Sequence, residues 1–278
     1  MKYFELQNKA AAMLQSAGFE NSRNEALILL KYVYNINDND WPLLAKEDAD
    51  EADRYFDLIK RRETGEPIQY IIGFAYFYGR KFIVKKGVLI PRYDTETICQ
   101  EAIKEAKSKT NVQVLDMCAG SGCIGITIAL EATKSKVMLA DIDPVCLNTI
   151  EENAKALNAQ NITIIYSNLF LCIDGLFDII TINPPYISRE EYIALENEVA
   201  DFEPRLALYG GEDGLEYYRE IAKSANKHLK NNGLLLLEIG FEQAEAVTDI
   251  LSKSGFKNIT TVKDIAGRDR VISARWLL

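Results

Sequence analysis

The sequence predicts an α/β fold, a mostly parallel sheet with helices on both faces, preceded by a small helical bundle. Two observations carry this. After about residue 90, short apolar runs that end in polar residues or glycine alternate with stretches of helical period, as strands joined by crossover helices do. Before about residue 75, apolar residues recur at helical spacing only. Between the two, "YFYGRKFIVKKGVLIPR" alternates aromatic and β-branched residues around Gly79 and Gly87, which reads as a hairpin. The expected division is therefore residues 1–75 as a helical domain, 76–90 as a β-hairpin linker and 91–278 as the α/β domain.

In the helical part, Ser22-Arg23-Asn24-Glu25 has the capping-box pattern ahead of "ALILLKYV". Ala52, Tyr55, Phe56 and Ile59 follow i, i+3, i+4, i+7, and Gly65 and Pro67 stop that helix. Its end carries Lys60, Arg61 and Arg62, cations that favour the C-terminal end of the helix dipole. In the second part the expected strands are "VQVLDM", "KVMLADI", "ITIIYS", "FDIITIN" and "LLLLEIG". A helix on Ala244, Val247, Ile250 and Leu251 closes at Gly255. Ligands of such a sheet bind beyond the carboxyl ends of its strands, so chemistry is expected there.

Composition narrows the chemistry. The 278 residues are 48% hydrophobic and 26% charged, with a net charge of −9. Residues 1–75 hold 9 basic and 13 acidic side chains, a net −4. Neither part has the clustered Lys and Arg that phosphate-backbone binding needs, so no direct nucleic-acid binding is expected. No apolar run is long enough to span a bilayer. The start "MKYFELQNKA" lacks the pattern of a signal peptide, and the expected location is the cytoplasm, without membrane contact. The cysteines Cys99, Cys118, Cys123, Cys146 and Cys172 form no C-x-x-C pair and read as reduced thiols. His228 is the only histidine and reads as a surface cap near a helix end. A metal site and a Ser-His-Asp or Cys-His nucleophile are therefore not expected.

Three strand ends carry motifs. Asp116 ends the first, followed by Gly120, Ser121 and Gly122 and then a helix. Glycines admit close approach of a ligand to the backbone, and the helix N-terminus favours negative charge. The same turn also arises for steric reasons alone. The second strand ends in Asp141, about 20 residues on, where a carboxylate accepts from ribose hydroxyls. The short loop with an acid before it favours S-adenosylmethionine over NAD. The fourth strand ends in Asn183-Pro184-Pro185-Tyr186. Two prolines cannot continue a ladder or lie inside a helix, so they make a stiff turn presenting an amide and a ring.

Asp-x-x-x-Gly-x-Gly, an acid after the second strand and Asn-Pro-Pro-Tyr after the fourth form the order of class I amino-methyltransferases. Within them the chain resembles the release-factor glutamine methyltransferases (the HemK/PrmC family) over nearly all its length. "GEPIQYIIG", "FYGRKFIV", "VLIPRYDTE", "VLDMCAGSGCIGI", "FEPRLALYGGEDGLEYYREI", "LLLLEIG" and "DIAGRDRVI" carry the likeness. It departs from the usual Gly-Thr-Gly-x-Gly loop at Cys118 and Ala119, and from the usual Asp plus bulky pair at Asn168 and Leu169.

The resemblance implies a Rossmann-like class I methyltransferase domain with a seven-stranded, mostly parallel sheet. It also implies S-adenosylmethionine as cofactor and, as partner, a peptide chain release factor methylated on the glutamine amide of its Gly-Gly-Gln tripeptide by a monomeric enzyme. Cofactor contacts would come from Asp116, Cys118, Ala119, Gly120, Ser121, Gly122, Asp141, Ile142, Asn168, Leu169 and Asn183. Asn183 and the Pro184 carbonyl would accept from the substrate amide, Pro185 would stiffen the turn, and the ring of Tyr186 would pack on the amide plane. Pro91, Arg92 and Thr95 would flank the methionine part and the substrate channel, and residues 1–75 would recognise the factor. Asn-Pro-Pro-Tyr also serves nucleic-acid amino-methyltransferases acting on a flipped base. The acidic charge counts against that alternative.

Overall fold

A computed structural model describes residues 1–50 and 52–278. Its contacts divide them into two compact units, Met1–Phe74 with Asn197–Phe202, and Ala75–Glu196 with Glu203–Leu278.

The first unit contains α1 (Tyr3–Ser16), α2 (Ser22–Tyr34), α3 (Trp41–Leu44), α4 (Ala52–Glu63) and α5 (Ile68–Ile72). Leu6, Leu14, Leu29, Leu30, Tyr55 and Ile59 form its core, and the buried Tyr55 hydroxyl donates to the Ala26 carbonyl at 2.8 Å. The capping box at Ser22 does not form. Asn21 is the N-cap, without a side-chain bond, and Glu25 instead receives Arg62 Nε at 2.8 Å and Nη2 at 3.1 Å.

Arg62 does end α4 among basic residues, but it is interior rather than a solvated dipole partner, at 3% exposure. It also donates to the Glu66 carbonyl at 3.1 Å and to Glu198 at 2.8 Å. Glu198 lies in the short helix Asn197–Phe202, which a purely linear division would leave with the second unit. Removing one partner of a fully buried pair costs about 3–5 kcal/mol. Glu198 keeps a third of its side chain in water, so Arg62→Ala is expected to cost about 2 kcal/mol. Urea unfolding followed by circular dichroism checks this; an unchanged midpoint would show that the pairs add nothing.

A hairpin, in the second unit from Ala75 onward, pairs β1 (Phe74–Phe77) with β2 (Arg80–Ile83). Tyr78 and Gly79 turn it, both at positive φ (51° and 70°), as the right-handed strand twist requires. Then follow α6 (Glu96–Lys107), β3 (Gln113–Met117), α7 (Cys123–Glu131), β4 (Lys136–Asp141), α8 (Pro144–Ala156), β5 (Ile162–Tyr166) and β6 (Phe177–Ile182). After β6 come α9 (Arg189–Ile193), α10 (the Asn197–Phe202 helix of the first unit), α11 (Arg205–Leu208), α12 (Glu216–Ser224), β7 (Leu229–Glu238), α13 (Ala244–Lys253), β8 (Lys257–Lys263) and β9 (Asp269–Trp276).

The seven strands lie in the order β5-β4-β3-β6-β7-β9-β8. β9 runs antiparallel to β7 and β8, and the other neighbours are parallel. Successive residues face opposite sides. Val114, Ile179 and Leu236 enter one core cluster, and Leu115, Ile180, Leu235 and Leu237 enter the other. The chain crosses from one half of the sheet to the other between β3 and β6, the switch point where ligands of open α/β sheets bind. No helix among the described residues is long and apolar enough to cross a membrane.

His228 is not a surface cap. It ends a 3-10 turn directly before β7 and stacks on Phe170, with centroids 4.9 Å apart and planes at 13°. Burial lowers its pKa.

Candidate active site

The strand-end residues meet in one cavity of the second unit. Its walls include Arg92 and Thr95, the loop Cys118–Ser121, Asp141 and Ile142, Asn168 and Leu169, and Asn183 with Pro185. All five free thiols are unpaired, and Cys118, Cys123 and Cys146 line this cavity. Desolvation raises the pKa of each, that of Cys123 to about 12. They are neutral walls, not nucleophiles.

The loop after β3 is bent by left-handed residues, Cys118 (φ 56°), Gly120 (φ 55°) and Gly122 (φ 78°). A Cβ on Gly120 would meet nothing within 4 Å, so its backbone faces open space. Cys118 holds this conformation without being glycine, at a cost of about 1–2 kcal/mol. Asp141 spans the loop, Oδ2 accepting from Gly120 N at 2.8 Å and Oδ1 from Asp143 N at 2.9 Å. The Ile142 amide and the Cys146 thiol act on the same carboxylate. Burial raises its pKa, against the pull of the Asp143 and Gly120 amides.

Two expected cofactor residues do not line the cavity. Asp116 is fully buried, accepting from Gly125 N and Thr181 Oγ1, both at 2.8 Å. A Cβ on Gly125 would lie 2.9 Å from Asp116 Oδ2, so this close approach needs glycine. Asp116 ties β3 to α7 and β6 under the loop. Gly122 caps α7 and packs below the surface, where a Cβ would meet Ile126 and Ile150 at 3.0–3.2 Å.

At the other end, Asn183 and Pro185 reach the cavity, and Pro184 and Tyr186 do not line it. The Pro184 carbonyl carbon is bonded to the nitrogen of the lining Pro185. Tyr186 instead packs on the core cluster shared by Leu237 and Tyr218, and desolvation raises its pKa. Its expected stacking on a substrate amide is not what this geometry offers.

A wall that sequence reasoning left without a role holds this turn from behind. Gln243 Nε2 donates to the Tyr186 carbonyl at 2.9 Å. Gly210 N donates to the Ile187 carbonyl and Ile187 N to the Leu208 carbonyl, both at 2.9 Å. Pro204, Leu206 and Ala207 of the same segment line the cavity. The signal was the run "FEPRLALYGGEDGL", with two adjacent glycines and a third shortly after. Arg92 lines the cavity and pairs with the buried Glu203, which also accepts from Ile90 N at 3.4 Å.

Glu238 was also missed, because "LLLLEIG" reads as a strand and nothing more. It is 2% exposed and its Oε2 has no partner. Desolvation pushes its pKa up to about 7, opposed by donors on Thr95 and Asn183 and by Arg270. Asp116 is likewise pushed up to about 7 by desolvation. From the ordinary carboxylate range to about pH 7 the folded chain holds protons that the unfolded chain has released. Stability from these two groups therefore falls as pH rises through that window.

The chain matches two family profiles, "PrmC N-terminal domain" over residues 5–73 and "Methyltransferase small domain" over residues 97–202. It is 42% identical over 227 residues to a release factor glutamine methyltransferase of Thermodesulfovibrio yellowstonii, covering 81% of each chain. It is 38% identical over 273 residues to one of Clostridium acetobutylicum, covering 96% of this chain and 95% of the relative. A methyltransferase structure from Pyrococcus furiosus shares the fold at a TM-score of 0.54 and 15% identity, covering 73% of this chain and 91% of the other. With sheet order, cavity and sequence in agreement, the chain belongs to the release factor glutamine methyltransferase family.

Proposed function

We infer that this protein transfers a methyl group from S-adenosylmethionine to the side-chain amide nitrogen of the glutamine in the Gly-Gly-Gln tripeptide of peptide chain release factors. The observation that carries this reading is that Asn183 and Asp141, at the ends of β6 and β4, open into the same cavity. A carboxylate on the cavity wall and a glycine backbone facing open space fit the ribose and carboxylate ends of that cofactor. When bound, S-adenosylmethionine supplies an electrophilic methyl group.

The protein's own residues supply orientation. Asp141 would hold the ribose hydroxyls, Asn168 and Leu169 would border the adenine, and Gly120 and Ser121 would admit the ligand to the backbone. An amide nitrogen is a poor nucleophile because its lone pair is delocalised. Asn183 Oδ1 and the Pro184 carbonyl would accept both N–H hydrogens and aim the lone pair at the methyl. Alignment of this kind contributes several kcal/mol, about 7–11 kcal/mol at its upper limit. The proton released afterwards can pass to water. None of the described residues of 1–75 lines the cavity, and they would recognise the factor.

Incubation with a purified release factor and S-adenosylmethionine, then peptide mass mapping, tests the reading. One methyl group on the glutamine of Gly-Gly-Gln is expected. Methyl transfer to nucleic acid instead, or none to the factor, would overturn it.

Asp141→Ala is expected to weaken S-adenosylmethionine binding by about 2 kcal/mol, roughly thirtyfold in Kd, the range of charge-assisted hydrogen bonds. Calorimetric titration reads it, and an unchanged Kd would remove Asp141 from the ribose site.

A further inference from the structure

Asn183 can serve as an acceptor only if its amide stands with the oxygen toward the cavity, and an Asn side chain alone has no such preference. The sheet supplies the constraint. Ile182 of β6 is in register with Leu237 of β7, so the next residues, Asn183 and Glu238, are lateral neighbours. The alternation along both strands puts their side chains on one face, with Thr181 and Leu236 and away from Ile182 and Leu237.

We propose that Glu238 is the positioning residue of the transfer site: its buried carboxylate accepts from Asn183 Nδ2 and so fixes Asn183 Oδ1 toward the cavity. This rests on the functional reading above, because it assigns Asn183 the acceptor role. Two observations point to it. Asn183 lies beside Glu238 across the β6–β7 register, and both Asn183 and Thr95 stand near enough to favour the ionised carboxylate. Its Oε2 is buried without a partner, an arrangement too costly for stability alone to explain.

The same geometry makes the orientation dependent on protonation. An ionised Glu238 only accepts, so it selects the Nδ2-inward amide. A neutral Glu238 carries an O–H that can donate to Asn183 Oδ1, and the selection is lost. The pKa near 7 places this change in the physiological range. The charged and titratable groups facing Glu238 are Arg270 of β9, Asp94 in the 3-10 turn before α6, Cys99 of α6, Cys123 of α7, Tyr186 after β6 and Tyr218 of α12. Arg270 is engaged by Asp94 and Asp264. It favours the ionised form of Glu238, and Asp94 opposes it. Asp116 of β3 titrates in the same range but bonds Gly125 and Thr181 instead.

The experiment compares full-length wild type with Glu238→Gln, a replacement of the same shape that can face Asn183 either way. Single-turnover methyl transfer to the release factor is measured from about pH 5.5 to 8.5, with calorimetric cofactor binding as the folding control. In wild type the rate should fall below pH 7 toward about a tenth of its plateau and level off above it. In Glu238→Gln it should be about tenfold below the wild-type plateau and flat with pH, with cofactor affinity unchanged. A wild-type rate in Glu238→Gln, or a lowered rate that keeps the wild-type pH profile, overturns the proposal. The second result would point to Asp116.

A second readout does not depend on turnover. The Asn183 side-chain amide signals of ¹⁵N-labelled protein, assigned by their loss in Asn183→Ala, should shift with a midpoint near pH 7 in wild type and not in Glu238→Gln. Signals that stay fixed in wild type overturn the proposal. If wild type failed to methylate the factor, the functional reading would fall while this titration still decided the role of Glu238.

Discussion

Asn183→Ala is expected to slow single-turnover methyl transfer by about 10³-fold while leaving the Kd for S-adenosylmethionine within about threefold. The asymmetry follows from what the side chain does. It borders the cavity at the end of β6, opposite the Gly120 loop and Asp141, which would carry cofactor affinity. Its loss removes an acceptor that fixes the direction of the substrate lone pair, and no other side-chain amide on the cavity wall but Asn168 could replace it. Asn168 follows β5, two strands beyond β3, and cannot take over a role at the end of β6. The truncation also removes the amide proposed to pair with Glu238, so a second loss of order would accompany the first. Rapid-quench measurement with saturating cofactor and release factor reads the chemical step directly. Near-normal transfer would remove Asn183 from the mechanism.

The strand-end motifs were legible because backbone geometry demands particular residues there. Gly120 sits at positive φ, and two prolines cannot continue β6. Asp141 was legible by its distance from those glycines. What failed to show in the sequence depends on direction and on tertiary partners. Tyr186 could face the cavity or the core, and only the tertiary packing shows that it joins the core. Asp116 looked like a ligand-facing acid because it ends a strand beside the loop, but its oxygens go to Gly125 and Thr181.

The capping box at Ser22 gave way to Asn21 because Glu25 is taken by Arg62, from another helix. β8 and β9 were not located individually. "NITTVK" and "DRVISARW" are mixed polar runs, and β8 lies at the sheet edge where none of its residues is buried. Glu238 was hidden for the opposite reason, a charged residue that ends a run of four leucines in β7.

Gly214→Ala is expected to lower turnover by about 10²-fold with cofactor affinity nearly unchanged, although residue 214 does not line the cavity. An added Cβ would stand 2.4 Å from the Tyr186 carbonyl oxygen and 2.8 Å from Gln243 Nε2, the two ends of the bond that holds the turn. The oxygen belongs to backbone and cannot rotate away. Contact must relax by roughly 1 Å, and a displacement of that size at a catalytic group is worth about 10²-fold. The turn is stiff: Pro184 and Pro185 have fixed φ, so a push on Tyr186 travels to Asn183 instead of dissipating between them. Gly214 also lies at φ 72°, so alanine adds a backbone cost of about 1–2 kcal/mol, which should appear as a lower melting temperature. The two effects separate by a control. Gly267→Ala, at φ 80° with nothing within 4 Å of its Cβ, should share the loss of stability and keep full turnover. If Gly214→Ala also kept full turnover, the wall behind the turn would be packing only, and the position of Asn183 would be set by β6 and Glu238 alone.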